Sequence, residues 1–160
     1  MVEGIQVGAQ RSKGQQIIIR WLYILIFVVV CMVIIGGLTR LTGSGLSMVT
    51  WHPITGWLPP FDDAGWFLVF EGYKKTPEYR FINEGMNLQE FKNIYWLEYI
   101  HRLWGRIIGV IFFLPFVFFL FKGWINTALG VRFLGLFVLG GAQGVMGWYM
   151  VQSGLSLNPH

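Results

Sequence analysis

The chain is poor in charged residues. Only 12% of its 160 residues are Asp, Glu, Lys or Arg, whereas 54% are apolar and 18% are aromatic. Soluble domains usually contain about a quarter charged residues. A soluble core could not bury so large an apolar share, so the composition predicts an integral membrane protein.

Cysteine and clustered basic residues are also scarce. The single cysteine, Cys31, excludes a disulfide within the chain, and its position in an apolar run favours a packed thiol over a reactive one. The net charge of +4 comes from scattered Lys and Arg without a basic block. The sequence therefore predicts no nucleic-acid binding, and the basic residues are better explained as flanks of membrane spans.

Three uncharged or nearly uncharged stretches are long enough to cross a bilayer, which needs about 20 apolar residues. The stretch between the first two contains four prolines and most of the acidic residues, so it must lie outside the hydrocarbon. We predict an N-terminal segment (1–20), a first span (21–39), an outer loop (40–94), a second span (95–121), a turn (122–129), a third span (130–152) and the start of another outer loop (153–160).

Two helix starts can be predicted from capping patterns. Asn87 followed by Glu90 has the layout of a capping box, and no proline follows until Pro115. We expect a helix of about 50 Å from Asn87 to near Lys122, longer than the bilayer needs, with its first turns protruding. Asp62 and the residue after it precede an aromatic-rich stretch, which predicts a short interfacial helix.

The basic flanks predict the orientation. Arg11, Lys13 and Arg20 precede the first span, and Lys122 and Arg132 border the short turn, so these residues belong on one side, predicted to be cytoplasmic. The long loop is then periplasmic. The first apolar stretch is too long for a signal peptide, and no Arg- and Ser-rich transit peptide precedes it, which favours a bacterial inner membrane over a mitochondrial one.

The segment 98–106, with the sequence EYIHRLWGR, concentrates ionisable residues at one end of the second span. On a helix Glu98 is three residues from His101 and four from Arg102, and Arg106 follows one turn later. A neutral imidazole can ligate heme iron, and guanidinium groups can bind its propionates. In the alternative interpretation, both arginines reach lipid phosphates and His101 is an interfacial residue that Glu98 satisfies. The spacing leaves both open.

Other polar and glycine-rich positions are weaker candidates. His52, in a Trp-His-Pro loop, and the terminal His160 lack a helical context that would fix their geometry. Arg40 lies in a Gly-, Thr- and Ser-rich exit from the first span, which could cradle a propionate or form only a flexible turn. Glycines recur in the third span, where close helix packing is favoured over cofactor contact; these are Gly140, Gly141, Gly144 and Gly147.

Four motifs in this order resemble the heme A synthase family. They are GGLTRLTGSGLS (36–47), WHP (51–53), EYIHR (98–102), and GGAQG (140–144) followed by SGL (153–155). The resemblance covers nearly the whole chain from about residue 21. The sequence is similar to the alphaproteobacterial and mitochondrial branch of this family, which lacks paired loop cysteines.

The resemblance implies a fold and a reaction. The family has eight transmembrane helices in two similar four-helix halves, each supplying two histidines to a heme site, and oxidises the C8 methyl of heme O to the formyl of heme A for terminal oxidases. His101 matches the first of these histidines, an axial ligand of substrate heme. Glu98 matches a carboxylate thought to act in catalysis, by stabilising positive charge or moving a proton. Arg40, Arg102 and Arg106 are then candidate propionate ligands.

The resemblance also suggests partners. Heme O is the substrate, heme b would bind in the C-terminal half, and heme O synthase, an electron donor and membrane lipid would be the contacts, with homo-oligomer formation left open. The sequence stops before the helix expected to carry the second histidine, which predicts an inactive N-terminal fragment. Two alternatives stay open: a b-type cytochrome or heme carrier without catalysis, and a non-enzymatic membrane scaffold suggested by the glycine faces.

Overall fold

The protein is all-helical in the residues that the computed structural model describes, which are 12–50 and 57–156. In chain order the helices are α1 (Lys13–Leu41), α2 (Asp63–Lys74), α3 (Pro77–Phe81), α4 (Leu88–Phe121) and α5 (Thr127–Ser156). Three of them, α1, α4 and α5, are long and apolar enough to cross a membrane. The predicted fold class, an all-helical membrane protein with three spans, is confirmed.

The first helix begins earlier than the predicted span. Ser12 is its N-cap: the Ser12 hydroxyl accepts from the Gln15 amide at 3.3 Å, and the Gln15 side chain accepts from the Ser12 amide at 3.1 Å. The prediction started the span after Arg20, the last charge before the apolar run. Membrane boundaries follow charge, whereas helix boundaries follow capping, and the Ser-x-x-Gln pattern marked this start.

The capping box predicted at Asn87 is confirmed. The Asn87 side chain accepts from the amide of Glu90 at 3.0 Å, and the Glu90 carboxylate accepts from the Asn87 amide at 2.9 Å. From there α4 continues through Pro115 to Phe121. The helix predicted after Asp62 is also present as α2, with the Asp62 carboxylate accepting from the Gly65 amide at 2.8 Å; its interfacial position stays a prediction.

The connection between α4 and α5 is shorter than predicted. Gly123 adopts a φ of +65°, which favours glycine, and the Asn126 side chain accepts from the amide of Leu129 at 2.9 Å. With this side chain capping it, α5 starts at Thr127 and contains Arg132 within its first turns. The prediction placed the start at residue 130 because it treated Arg132 as a boundary charge.

Two aromatic clusters hold the helices together. The inner cluster joins α1, α4 and α5, and Trp21 is at its centre, with ring centroids 5.3 Å from Phe119 and 5.4 Å from Phe133. The outer cluster packs α2 against the first turns of α4, with Tyr73 and Phe91 fully buried. Both clusters lie on α4, which therefore carries the site residues between two packed levels.

Candidate functional site

Glu98 lies in a hydrogen-bond network that joins α4 to the loop that follows α1. Its side chain is buried, and the residue is 2% exposed. One carboxylate oxygen accepts from Arg102 Nε at 3.0 Å and from Nη2 at 2.5 Å; the other accepts from the Ser47 hydroxyl at 2.7 Å and from the Met48 amide at 2.8 Å. Four donors thus occupy the acceptor capacity of an ionised carboxylate. The predicted pairing of Glu98 with Arg102 at spacing four is present.

Arg102 continues the same network into the loop that follows α1. Its Nη2 donates to the Met48 carbonyl at 3.0 Å and its Nη1 to the Thr50 carbonyl at 3.2 Å. The residue is 9% exposed. Arg102 therefore binds a carboxylate and two loop carbonyls within the protein, and its role as a propionate ligand stays a prediction.

His101 faces α1. A Cβ added at Gly36 would come within 3.2 Å of His101 Nε2, closer than ordinary contact, so the glycine makes room for the imidazole. The ring is half-buried, and within residues 12–50 and 57–156 neither of its nitrogens has a hydrogen-bond partner. The alternative in which Glu98 accepts a hydrogen bond from His101 is not observed. The Glu98 carboxylate instead bonds Ser47, Met48 and Arg102.

Arg106 lies on another side of α4. It lies five positions after His101 in the sequence, and this spacing corresponds to about 140° around a helix. Its guanidinium carbon is 5.8 Å from the centre of the Trp57 ring. Arg106 and Trp57 both border an open apolar depression of about 370 Å³, which is also lined by Gly109, Phe113 and Phe137. The structure therefore does not bring Arg106 and His101 to one point.

The remaining candidates are separate from this network. Arg40 is exposed in the last turn of α1, and the turn after it is held by a 2.6 Å hydrogen bond between the Thr42 and Ser44 hydroxyls. His52 and His160, together with the Trp-His-Pro motif, lie outside the described residues. A Cβ at Gly140, Gly141, Gly144 or Gly147 would meet nothing within 4 Å, so the helix packing predicted for this face is not made by the described part of the chain.

Two residues that contribute hydrogen bonds around the site were not predicted from the sequence. Ser47 belongs to a family-like motif, but nothing in its spacing assigned it to Glu98, which is 51 positions away. Tyr99 donates to the Trp57 carbonyl at 2.6 Å and so fixes the far end of the same loop on α4. Among the described residues there is no cluster of three or more His, Cys, Asp or Glu side chains that could hold a metal ion, which leaves His101 as a single candidate ligand.

Comparison with known proteins agrees with the motifs. Residues 19–160 match the COX15-CtaA family, described as cytochrome oxidase assembly protein. The chain is 59% identical over 139 residues to the heme A synthase of Paramagnetospirillum magneticum, covering 87% of this chain and 39% of that protein. It is 50% identical over 151 residues to the heme A synthase of Nitrosospira multiformis, covering 94% and 42%.

The chain thus spans about two fifths of the length of the curated relatives it matches. No solved structure matches it significantly. The family match over residues 19–160, together with identities of 50% and above across most of the chain, identifies the protein as a member of the heme A synthase family of cytochrome oxidase assembly proteins.

Proposed function

We propose that this chain forms the substrate-heme half of a heme A synthase, in which heme O is oxidised at its C8 methyl group to the formyl group of heme A. One structural observation carries the proposal beyond family membership. His101 is a half-buried imidazole on a membrane-spanning helix, and its ring nitrogens have no hydrogen-bond partner within the described residues. Such residues are costly in a membrane unless they serve a site.

The residues around His101 fit a porphyrin as substrate. A neutral imidazole offers a lone pair to iron, and Gly36 on the facing helix keeps side-chain atoms away from Nε2. The imidazole lies too near α1 for a porphyrin to enter between them, so iron ligation requires the ring to turn away from Gly36. Of the three arginines predicted to bind propionates, Arg102 is bonded to the Glu98 carboxylate, which leaves Arg40 and Arg106 as the candidates nearer to this role.

We further propose a bacterial inner-membrane location, with the loop between α1 and α4 on the periplasmic side. The basic flanks of α1 and of the α4–α5 turn support this orientation. The relatives are bacterial proteins. Heme O, an electron donor and the enzyme that makes heme O are the partners that this function requires, with heme b in the C-terminal half.

The test uses a chimera in which this chain replaces the equivalent part of the Paramagnetospirillum magneticum relative. The chimera and its His101→Ala variant are expressed with heme O synthase, and the extracted hemes are identified by their absorption, which the formyl group shifts to the red. We expect heme A from the parent chimera and none from the variant. Ile100→Ala is the matched control, since Ile100 is 43% exposed on a different side of the same turn.

Three outcomes separate the candidate functions. Heme A formation that survives His101→Ala contradicts the role of the imidazole. Heme that copurifies through His101 without becoming heme A supports the heme-carrier alternative. Folded protein that never binds heme supports the alternative of a non-enzymatic membrane scaffold.

A further inference from the structure

We infer that Ser47, Glu98 and Arg102 form a loop clasp that positions the His101 turn, and that Glu98 acts through this clasp without touching the reacting atoms. The inference rests on the proposed function, because it concerns how the substrate site is held. It adds Ser47 and Arg102 as positioning residues, and it assigns Glu98 a role different from the catalytic one that the resemblance implies.

The Glu98 carboxylate is saturated with hydrogen bonds. Both oxygens of Glu98 accept two hydrogen bonds, from the Arg102 guanidinium on one side and from Ser47 and the Met48 amide on the other. No acceptor direction remains for a substrate proton or cation. To contact substrate, the carboxylate would first have to leave a buried ion pair, which is strongly unfavourable because the buried guanidinium would lose its counter-charge.

The side chains of Glu98 and His101 point in different directions. Glu98 points at the loop that follows α1, because its partners are Ser47 and Met48, whereas His101 Nε2 points at Gly36 within α1. The two side chains therefore serve different contacts although they lie on neighbouring positions of α4. A shared helix face, read from the spacing of three, does not bring them to one reacting centre.

The clasp joins the loop after α1 to side chains of α4. Ser47, Met48 and Thr50 lie just beyond the end of α1, and all three bind side chains of α4. The clasp thus fixes the end of α1 against the α4 turn that carries His101. Since Gly36 of α1 borders the imidazole, the clasp sets the separation of the two helices beside His101.

The experiment compares variants of the same chimera: Ser47→Ala, Glu98→Gln, Arg102→Met and the double variants with Glu98→Gln. We expect each single change to lower kcat, about 3- to 10-fold for Ser47→Ala and about 10- to 100-fold for the ionic partners, as for groups that orient a ligand. The KM for heme O should change less than about twofold, since no substrate contact is lost. The double variants should be no worse than their more severe parent, because the residues act as one unit.

A second measurement reports the clasp directly. Hydrogen exchange of the peptide containing residues 44–50 should accelerate in all three single variants. The Glu98 side chain accepts from the Met48 amide, and each variant either changes this side chain or removes a group that holds it in place. Ser47→Thr, which keeps the hydroxyl, should restore both slow exchange and turnover. Arg102→Lys should restore neither, because an ammonium cannot span the carboxylate and two carbonyls at once.

Two results would overturn the inference. One is loss of turnover in Glu98→Gln while Ser47→Ala and Arg102→Met remain within about twofold of the parent, which would place Glu98 at the reacting atoms. The other is unchanged exchange of residues 44–50 in the variants. A parent chimera that forms no heme A contradicts the proposed function instead, and the exchange measurement still decides whether the three residues act together.

Discussion

Replacement of Trp21 by Phe should destabilise the protein through a single backbone carbonyl. Pro115 lies inside α4 and has no N–H, so the carbonyl four residues earlier, that of Ile111, loses its usual helical donor. The Trp21 indole N–H donates to this carbonyl at 2.8 Å from across the helix interface. A tryptophan on α1 thus replaces the hydrogen bond that proline removes from α4.

The expected magnitude follows from comparison with a second tryptophan. Trp104 donates to the Val28 carbonyl at 2.9 Å, but no proline follows Val28 by four residues, so that carbonyl keeps its helical partner. Interhelical hydrogen bonds of this kind contribute on average about 0.6 kcal/mol in membranes. Depriving a buried carbonyl of its donor costs about 1–3 kcal/mol. We therefore expect Trp21→Phe to destabilise by about 1 kcal/mol more than Trp104→Phe.

The assay is a double-mutant cycle on the purified protein in detergent micelles, with unfolding by SDS followed by far-ultraviolet circular dichroism. Pro115→Ala restores the missing N–H, so Trp21→Phe should cost less in that background, and the two changes should couple by about 1 kcal/mol. Trp104→Phe should not couple to Pro115→Ala. Equal losses for both tryptophans, or no coupling between Trp21 and Pro115, would refute the reasoning.

Two further predictions concern the site and the outer helices. Gly36→Ala should turn the imidazole away from α1, the direction that iron ligation requires, and so tighten heme binding by roughly two- to tenfold in a spectrophotometric titration of the chimera. Gly37→Ala should leave the affinity unchanged, because a Cβ there meets nothing within 4 Å; equal effects would contradict the role of Gly36. Burial raises the pKa of Glu78 above 4.5, so the folded state binds its proton more tightly than the unfolded state. The stabilisation linked to that proton is present below about pH 4.5 and is lost as the pH rises through the folded pKa, so Glu78→Gln should raise the unfolding midpoint at pH 7 but not at pH 4.

Local chemistry made most of the helices predictable. Asn87 and Glu90 fixed the start of α4, because a capping box depends on residues three positions apart. The starts of α1 and α5 differ from the starts of the predicted spans. The prediction used charges to locate membrane boundaries, whereas capping by Ser12 and Asn126 determines where the helices begin. The outer cluster around Tyr73 was not predicted at all, because it depends on how α2 packs against α4.

The spacing of the candidate site residues predicted their common helix but not their arrangement. The spacing of Glu98, His101 and Arg102 correctly indicated one helix and one ion pair. It could not indicate that the carboxylate turns toward Ser47, because that contact joins residues 51 positions apart. Nor could it indicate that Arg106 lies beside Trp57 on another side of the helix, since the loop path brings Trp57 there.

The position of His101 between the two aromatic clusters has a mechanical consequence. Tyr99 belongs to the outer cluster and Trp104 packs on the inner one, so the turn between them is fixed by packing on both sides. Rotation of α4 about its own axis would have to disrupt both clusters at once. The height of the imidazole in the bilayer is therefore governed by side chains several turns distant, and a cavity created at Phe91 or Phe119 should displace the His101 ring.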